Sequence, residues 1–163
     1  GTLGELGDGA QVAQSAIGQR DVTMSALQAA IMAGTISNKG KRMEPYLINR
    51  ITDGQMNELR TTQPRQAAEA VDENTAETIK NLMFASERST FAYDGNGFAS
   101  KTGTAEHGEG LAPHVWYVAF DPDKDIAVGV VVKDGGHLGE GATGGQVSGP
   151  IGRAILRAYG GEQ

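Results

Sequence analysis

The segment best equipped for chemistry in this 163-residue chain is Ser100-Lys101-Thr102-Gly103-Thr104-Ala105-Glu106. A lysine beside a threonine offers an ammonium and a hydroxyl, which together hold a carboxylate by charge and hydrogen bond. The segment reads as extended, opened by Gly97 and closed by a loop containing Gly108 and Gly110. Neighbours on a regular strand point to opposite faces, so Lys101 and Thr102 serve one ligand only if it lies along the strand's edge. Gly103 then removes a side chain where that ligand must approach the backbone. Such an edge can pair main chain to main chain with an extended peptide or its mimic, while side chains add selectivity.

A nucleophile to go with this strand is not recognisable. Serines occur at 15, 25, 37, 86, 89, 100 and 148; none has lysine three places later, and no Ser-x-Asn occurs. Serine acyl transfer needs the nucleophile within reach of a base, and no such pair stands out. Gly139-Glu140-Gly141-Ala142-Thr143-Gly144 matches the dinucleotide pattern Gly-x-Gly-x-x-Gly, but that fingerprint requires a βαβ setting. No strand follows it here, so it reads as a connector before the last helix. His107, His114 and His137 have no helical or hairpin ligand spacing, and cysteine is absent; they read as solvated or locally hydrogen-bonded, with no metal site expected. Trp116 and Tyr117 are expected in the core, with ligand stacking as the minor alternative. Arg153 and Arg157 are expected on a solvated helix face that suits the helix dipole.

The elements that position the motif can be read from periodicity. Residues 1–20 are glycine-rich and polar and read as a loop. A helix is expected from an N-cap at Thr23, with Met24, Leu27 and Ile31 on one face and Gly34 at its exit. Tyr46 to Ile51 reads as a strand and residues 53–70 as connection. A second helix is predicted over Asn74 to Phe84, with Asn74 and Glu77 as its capping pair and Ala76, Ile79 and Met83 on one face. Three extended segments follow, Phe98 to Ala105, Val115 to Phe120 and Ile126 to Lys133, the last two joined by the turn at Asp121 to Asp125. A closing helix is predicted from Pro150 as N1 to Tyr159, with Ile151, Ala154, Ile155, Ala158 and Tyr159 as its buried stripe and Gly160-Gly161 as its end. Helices segregated from an antiparallel sheet indicate an α+β fold.

Composition narrows the function classes. The net charge is −6 and the 14 basic residues are nowhere concentrated, which argues against nucleic acid or an anionic membrane surface as the main partner. No apolar run approaches the roughly 20 residues of a membrane-spanning helix, and the opening Gly1-Thr2-Leu3-Gly4-Glu5 does not read as a signal peptide.

Lys-Thr-Gly is one of three signatures of the serine penicillin-recognising enzymes, beside Ser-x-x-Lys and Ser-Asp-Asn. Its setting here extends the likeness along nearly the whole chain. Ile17-Gly18-Gln19 followed by Val22-Thr23-Met24-Ser25-Ala26-Leu27-Gln28-Ala29-Ala30 resembles the Ile-Gly-Gln and Thr-Pro-Leu-Gln-x-Ala segment of class B-like penicillin-binding proteins. Glu44-Pro45-Tyr46-Leu47-Ile48 resembles their next strand. The hairpin from His114 to Pro122 and the run to Gly149-Pro150-Ile151 resemble the actinobacterial branch, the penicillin-binding protein A type.

That resemblance implies a part of the serine β-lactamase/penicillin-binding transpeptidase fold, with residues 1–163 as the C-terminal half of the transpeptidase domain. It implies a D,D-transpeptidase that cross-links peptidoglycan stem peptides by serine acyl transfer without a cofactor, the serine coming from an upstream half. Lys101, Thr102 and Gly103 would bind the carboxylate end of a stem peptide or β-lactam, and the Thr104 backbone N–H would be an oxyanion-hole donor. The protein would be extracytoplasmic, held to the cell membrane by an N-terminal anchor outside this chain. Two other readings stay open: a serine β-lactamase or β-lactam sensor, and a non-catalytic module that holds a peptide carboxylate on the same strand edge.

Overall fold

A computed structural model describes residues 1–19 and 22–159. Its centre is a three-stranded antiparallel sheet of β5 (Ala99–Ala105), β6 (His114–Asp121) and β7 (Ile126–Val132), in that order. Around it lie α1 (Gly9–Ala16), α2 (Ala26–Ser37), α3 (Glu73–Ser89) and α4 (Gly144–Tyr159). Two small antiparallel ladders, β1 (Lys41–Met43) with β4 (Gln66–Glu69) and β2 (Arg50–Thr52) with β3 (Glu58–Thr61), fill the stretch between α2 and α3. The α+β order expected from the sequence is the order observed. Among the described residues no helix is long and apolar enough to cross a membrane.

Side chains alternate across β6 and sort the core into two layers. Tyr117 and Ala119 face α4, packing with Phe98, Val128 and Leu156. Phe120 faces the opposite way, joining Ala33 of α2, Met83 of α3 and Ala99 of β5. A third cluster of Val115, Ala142 and Val147 seals the sheet where α4 begins.

α3 buries the expected face of Ala76 and Met83, with Ile79 packed beside them, but α2 and α4 differ from expectation. α2 is capped by Ser25, whose hydroxyl accepts from the Gln28 amide while the Gln28 side chain accepts from the Ser25 amide. Thr23 instead bridges Thr2. Leu27 is 60% exposed, and the buried residues are Ala29, Ala33 and Thr35. The cause is close approach: a Cβ on Gly129 of β7 would stand 2.4 Å from the Ala26 carbonyl oxygen and 3.0 Å from the Ala29 Cβ. Only a small-residue face fits there, and Gly34 lies inside the helix instead of ending it.

α4 repeats the lesson. It starts at Gly144, so Pro150 is interior rather than N1. The stripe of Ile151, Ala154, Ile155, Ala158 and Tyr159 is exposed; Val147, Ser148, Gly149, Gly152, Arg153 and Leu156 are buried. Gly152 lies against the Tyr117 ring, where a Cβ would come within 2.3 Å of Cδ1. The predicted terminators Gly160-Gly161 lie outside the described residues.

Other expected boundaries are also corrected. Residues 9–16 are helical, with Asp8 capping the Gln11 amide, but α1 buries no residue and so carries no core-facing stripe to read. Tyr46 to Asn49 are not in a strand; β2 begins at Arg50. The stretch 53–70 contains β3 and β4, whose mostly exposed polar residues lack the alternation that marks a half-buried strand. α3 is capped by Asp72, not Asn74, and runs five residues beyond Phe84.

Candidate functional site

β5 is an edge strand of the sheet, so one side of its backbone faces away from β6. Thr102 pairs with Tyr117, Gly103 with Trp116 and Thr104 with Val115. Lys101, Thr102, Gly103, Thr104 and Ala105 line a groove of about 270 Å³ with Trp116 and Val118 on the same face of β6. The opposite wall is the segment of Ile17, Gly18, Gln19, Val22 and Met24, with Met32 of α2. Ile17 is 76% exposed, so much of this apolar wall is open to contact. A Cβ at Gly103 would sit 3.4 Å from the Trp116 Cβ, over the groove floor. Trp116 is therefore half-buried beside the motif, whereas Tyr117 is wholly in the core as expected.

The Lys101 ammonium is exposed and donates to the Thr102 carbonyl at 2.7 Å. An ammonium has three donors, so this contact leaves two for a ligand. Among the described residues no carboxylate forms an ion pair with it. A positive charge held along a strand edge, beside the half-buried Thr102 hydroxyl, can receive a carboxylate. A larger cleft of about 520 Å³ lies between the end of α2, β1 and Asp125-Ile126. Its Glu44 is already paired with Arg65.

Behind β5, on the face toward α4, stands a buried charged cluster. Glu87 of α3 is 0% exposed and accepts hydrogen bonds from Arg153 Nε at 2.6 Å, Tyr117 Oη at 3.0 Å, Asn96 Nδ2 at 2.9 Å and the Ser100 hydroxyl. Arg153 Nη1 also donates to the carbonyls of Phe91 and Ala92, each at 3.0 Å. Burial alone pushes the Glu87 carboxyl up, but the guanidinium and the three other donors outweigh it and hold the carboxyl below its ordinary value. Burial, followed by the negative charge of Glu87, pushes the Tyr117 phenol well up. Ser100, the residue before Lys101, is thus tied directly to α3 and, through Glu87, to Arg153 of α4.

This overturns the solvated reading of Arg153; only Arg157 of that pair reaches the surface, where it meets Asp94. Nothing in a single arginine's helical position announces burial, but Glu87, four residues after Met83 on the buried face of α3, was a sequence signal for a charge inside. Ser100 faces this cluster, not the groove. Among the described residues that line the groove there is no serine.

α4 begins against the motif itself. A Cβ at Gly144 would stand 2.3 Å from the Trp116 carbonyl oxygen, 2.9 Å from that of Gly103 and 3.0 Å from the Thr102 Cβ. Backbone cannot give way as a flexible side chain does, so Gly144→Ala is expected to cost about 1–3 kcal/mol through overpacking and to displace the Thr102-Gly103 backbone. Urea denaturation checks the first and the rate of ligand capture at the groove the second; an unchanged midpoint and rate would refute both. Gly139 to Gly144 lead into α4, with a positive φ of 57° at Gly139, and no βαβ unit surrounds them among the described residues.

The histidines are exposed or locally hydrogen-bonded as expected, but two of them are brought together. His107 follows β5, His114 opens β6, and both meet Asp134 just after β7. Spacing among the histidines alone does not include Asp134. The β6–β7 hairpin register, which pairs Val115 with Val132, was the signal that would have placed Asp134 near His114. His137 is not part of the group.

Comparison with known proteins follows the same lines. Residues 8–157 match the family model of the penicillin binding protein transpeptidase domain. The chain is 44% identical to the peptidoglycan D,D-transpeptidase PbpA of Mycolicibacterium smegmatis, over 96% of this chain and 33% of that protein. It is 38% identical to the protein of the same name from Mycobacterium tuberculosis, over the same shares. The solved structure of penicillin-binding protein A from M. tuberculosis as a ceftriaxone acyl-enzyme complex superposes with a TM-score of 0.89 at 38% identity, over 96% of this chain and 37% of that one. The chain thus spans about a third of the length of the curated relatives it matches.

Proposed function

The chain belongs to the penicillin-binding protein transpeptidase family and has that fold, and from this premise we propose that residues 1–163 are the C-terminal half of a D,D-transpeptidase domain that cross-links peptidoglycan stem peptides by serine acyl transfer. The observation that carries the reading is the edge strand β5, with an exposed Lys101 ammonium free of carboxylate partners among the described residues and a groove beside it. The length of the relatives leaves room for the nucleophile in polypeptide outside these residues, and the open apolar wall at Ile17 and Met24 offers that polypeptide a packing surface.

In this reading Lys101 and Thr102 take the terminal carboxylate of the stem peptide, or the equivalent carboxylate of a β-lactam, by charge-assisted hydrogen bonds. The peptide lies along β5 with its scissile carbonyl near Thr104. The serine oxygen supplied by the other half attacks that carbon as its proton passes to a base there, and the developing charge on the substrate's carbonyl oxygen is met by the Thr104 backbone N–H. One such donor is worth about 2.7–4 kcal/mol in the transition state. The amide C–N bond then breaks, the departing amine takes the proton, and a second stem peptide's amine releases the acyl group from the serine. No step uses a cofactor. Gly103, whose missing side chain would otherwise project over Trp116, keeps the path along the strand open. The acyl-enzyme complexes of M. tuberculosis penicillin-binding protein A with ceftriaxone, imipenem and penicillin G support β-lactams as ligands. Because peptidoglycan lies outside the cytoplasmic membrane, the enzyme works there, anchored by a segment beyond these residues.

Labelling with fluorescent penicillin tests the reading. The complete protein is expected to form a slowly released covalent adduct, and the 163-residue chain alone to form none. A stable serine adduct on the isolated chain would contradict the division into halves. Rapid turnover of the adduct would assign a β-lactamase instead, and peptide binding without any adduct in the complete protein would leave only a binding module.

A further inference from the structure

Beyond the acyl-transfer groove, a second cluster of donors sits where the loop after β5 meets the β6–β7 hairpin. His107 Nε2 lies 3.4 Å from Asp134 Oδ1, and His114 Nδ1 lies 3.5 Å from the same oxygen. One ligand atom from each of the three residues falls within 4.8 Å of the others. The two imidazoles are stacked, with centroids 4.0 Å apart and planes inclined by 26°.

These separations have a chemical meaning. Ligand atoms held at about 2.0–2.2 Å from a tetrahedral ion are themselves about 3.3–3.6 Å apart. Both histidine-to-carboxylate distances match that edge. Neutral imidazole nitrogen and carboxylate oxygen are ligands for borderline divalent ions, and the absence of thiolate leaves Zn2+ favoured over softer ions. Three protein ligands leave a fourth position for water.

The donors are also placed by backbone. His114 is fixed by the register of β6 against β5, where it pairs with Ala105. Asp134 is held next to it because the Gly135 amide donates to the Pro113 carbonyl at 2.7 Å. The Asp134 amide points at His114 Nδ1 from 3.2 Å, at the long end of hydrogen-bond range, and an ion seated on that nitrogen replaces this contact. His107 arrives on the loop that follows β5, beside Gly108 and Gly110.

We propose that His107, His114 and Asp134 form a binding site for a divalent transition ion, best matched by Zn2+, which pins the loop after β5 to the β6–β7 hairpin. Residues 106, 108 and 109 of that loop approach Gln14, Ile17 and Gln19, and Ile17 and Gln19 also line the groove. Metal binding therefore fixes one end of the groove without entering the acyl-transfer chemistry.

The test is calorimetric titration of the complete protein with Zn2+ alone. A saturable site is expected, weakened at least about tenfold in His107→Gln and in Asp134→Asn, since loss of even an outer-shell partner costs about 10–100-fold in metal affinity. Asparagine tolerates the left-handed backbone found at position 134, where φ is 52°, so that variant keeps the loop shape. Co2+ added in place of Zn2+ should give an intense four-coordinate visible spectrum in the parent and not in either variant. No saturable Zn2+ uptake by the parent, or equal uptake by parent and both variants, would overturn the proposal.

Discussion

Replacing Glu87 with alanine is expected to destabilise the protein by about 3–5 kcal/mol, the range for removing one partner of a buried ion pair. Arg153 is 3% exposed and would keep its charge with only the Phe91 and Ala92 carbonyls as partners. The hydroxyls of Ser100 and Tyr117 would lose their acceptor at the same time. Urea denaturation measures the loss, and a shift below about 1 kcal/mol, the value of a surface pair, would show that the cluster is not closed to water. Glu87→Gln separates charge from shape: it retains the side-chain volume and should recover only the hydrogen bonds that do not need an anion. A double replacement, Glu87→Leu with Arg153→Met, should be milder than Glu87→Ala, because paired apolar side chains of similar volume remove the stranded charge.

The same cluster fixes the direction of a pH effect. The folded carboxyl is held below the ordinary glutamate value of 4.5, so between the two values the unfolded chain binds more protons than the folded one. The stabilisation from Glu87 is complete above about pH 4.5 and is lost as pH falls through the lowered folded value. Glu87→Gln should remove that part of the acid sensitivity. Since Ser100 is bonded to Glu87 and precedes Lys101, acid should loosen the motif's strand before it melts the sheet, visible as faster amide exchange in β5 than in β7.

The sheet was legible because β6 and β7 are apolar enough that almost any burial pattern leaves them as strands. Their turn at Asp121 to Asp125 and the extended motif strand followed from the same residues. α2, α3 and α4 were legible as helices, but their caps and the exit at Gly34 were misplaced, and in α2 and α4 so was the buried face. Periodicity assigns the large apolar residues to the inside, and α2 and α4 do the reverse because each lies close to a backbone or ring: α2 on Gly129, α4 on Tyr117. At that distance alanine and glycine face the sheet, and Leu27, Ile151 and Ile155 turn outward. The short ladders β1–β4 and β2–β3 carry almost no buried side chain, so no pattern in the sequence distinguished them from connection. At the candidate site, Lys101 to Thr104 could be singled out because their chemistry lies within four successive residues. Arg153 with Glu87, and His107 with His114 and Asp134, are assembled by tertiary structure from positions far apart in the chain, and residue type alone did not join them.

Lys101→Ala is expected to slow acylation of the complete protein by penicillin by about 10–100-fold, the equivalent of a charge-assisted hydrogen bond of about 1.5–3 kcal/mol. The exposed ammonium and the strand-edge position of Lys101 are the reasons to expect an effect on capture of the ligand and not on folding. Its one observed contact, to the Thr102 carbonyl, is with a backbone group that water can satisfy once the side chain is gone. The denaturation midpoint should therefore stay close to that of the parent, in contrast to Glu87→Ala. Comparing penicillin with its methyl ester isolates the contact. The parent should discriminate strongly between acid and ester, and Lys101→Ala should discriminate little, because the charge that distinguishes them has no partner left on the strand. Lys101→Arg should restore part of the rate: it keeps the charge, but its planar fork presents donors in a geometry the ammonium does not need. An unchanged acylation rate in Lys101→Ala would remove the strand's assigned role. A lower rate with undiminished discrimination between acid and ester would move the carboxylate contact to another residue, with Thr102 the next to replace because it lines the same groove.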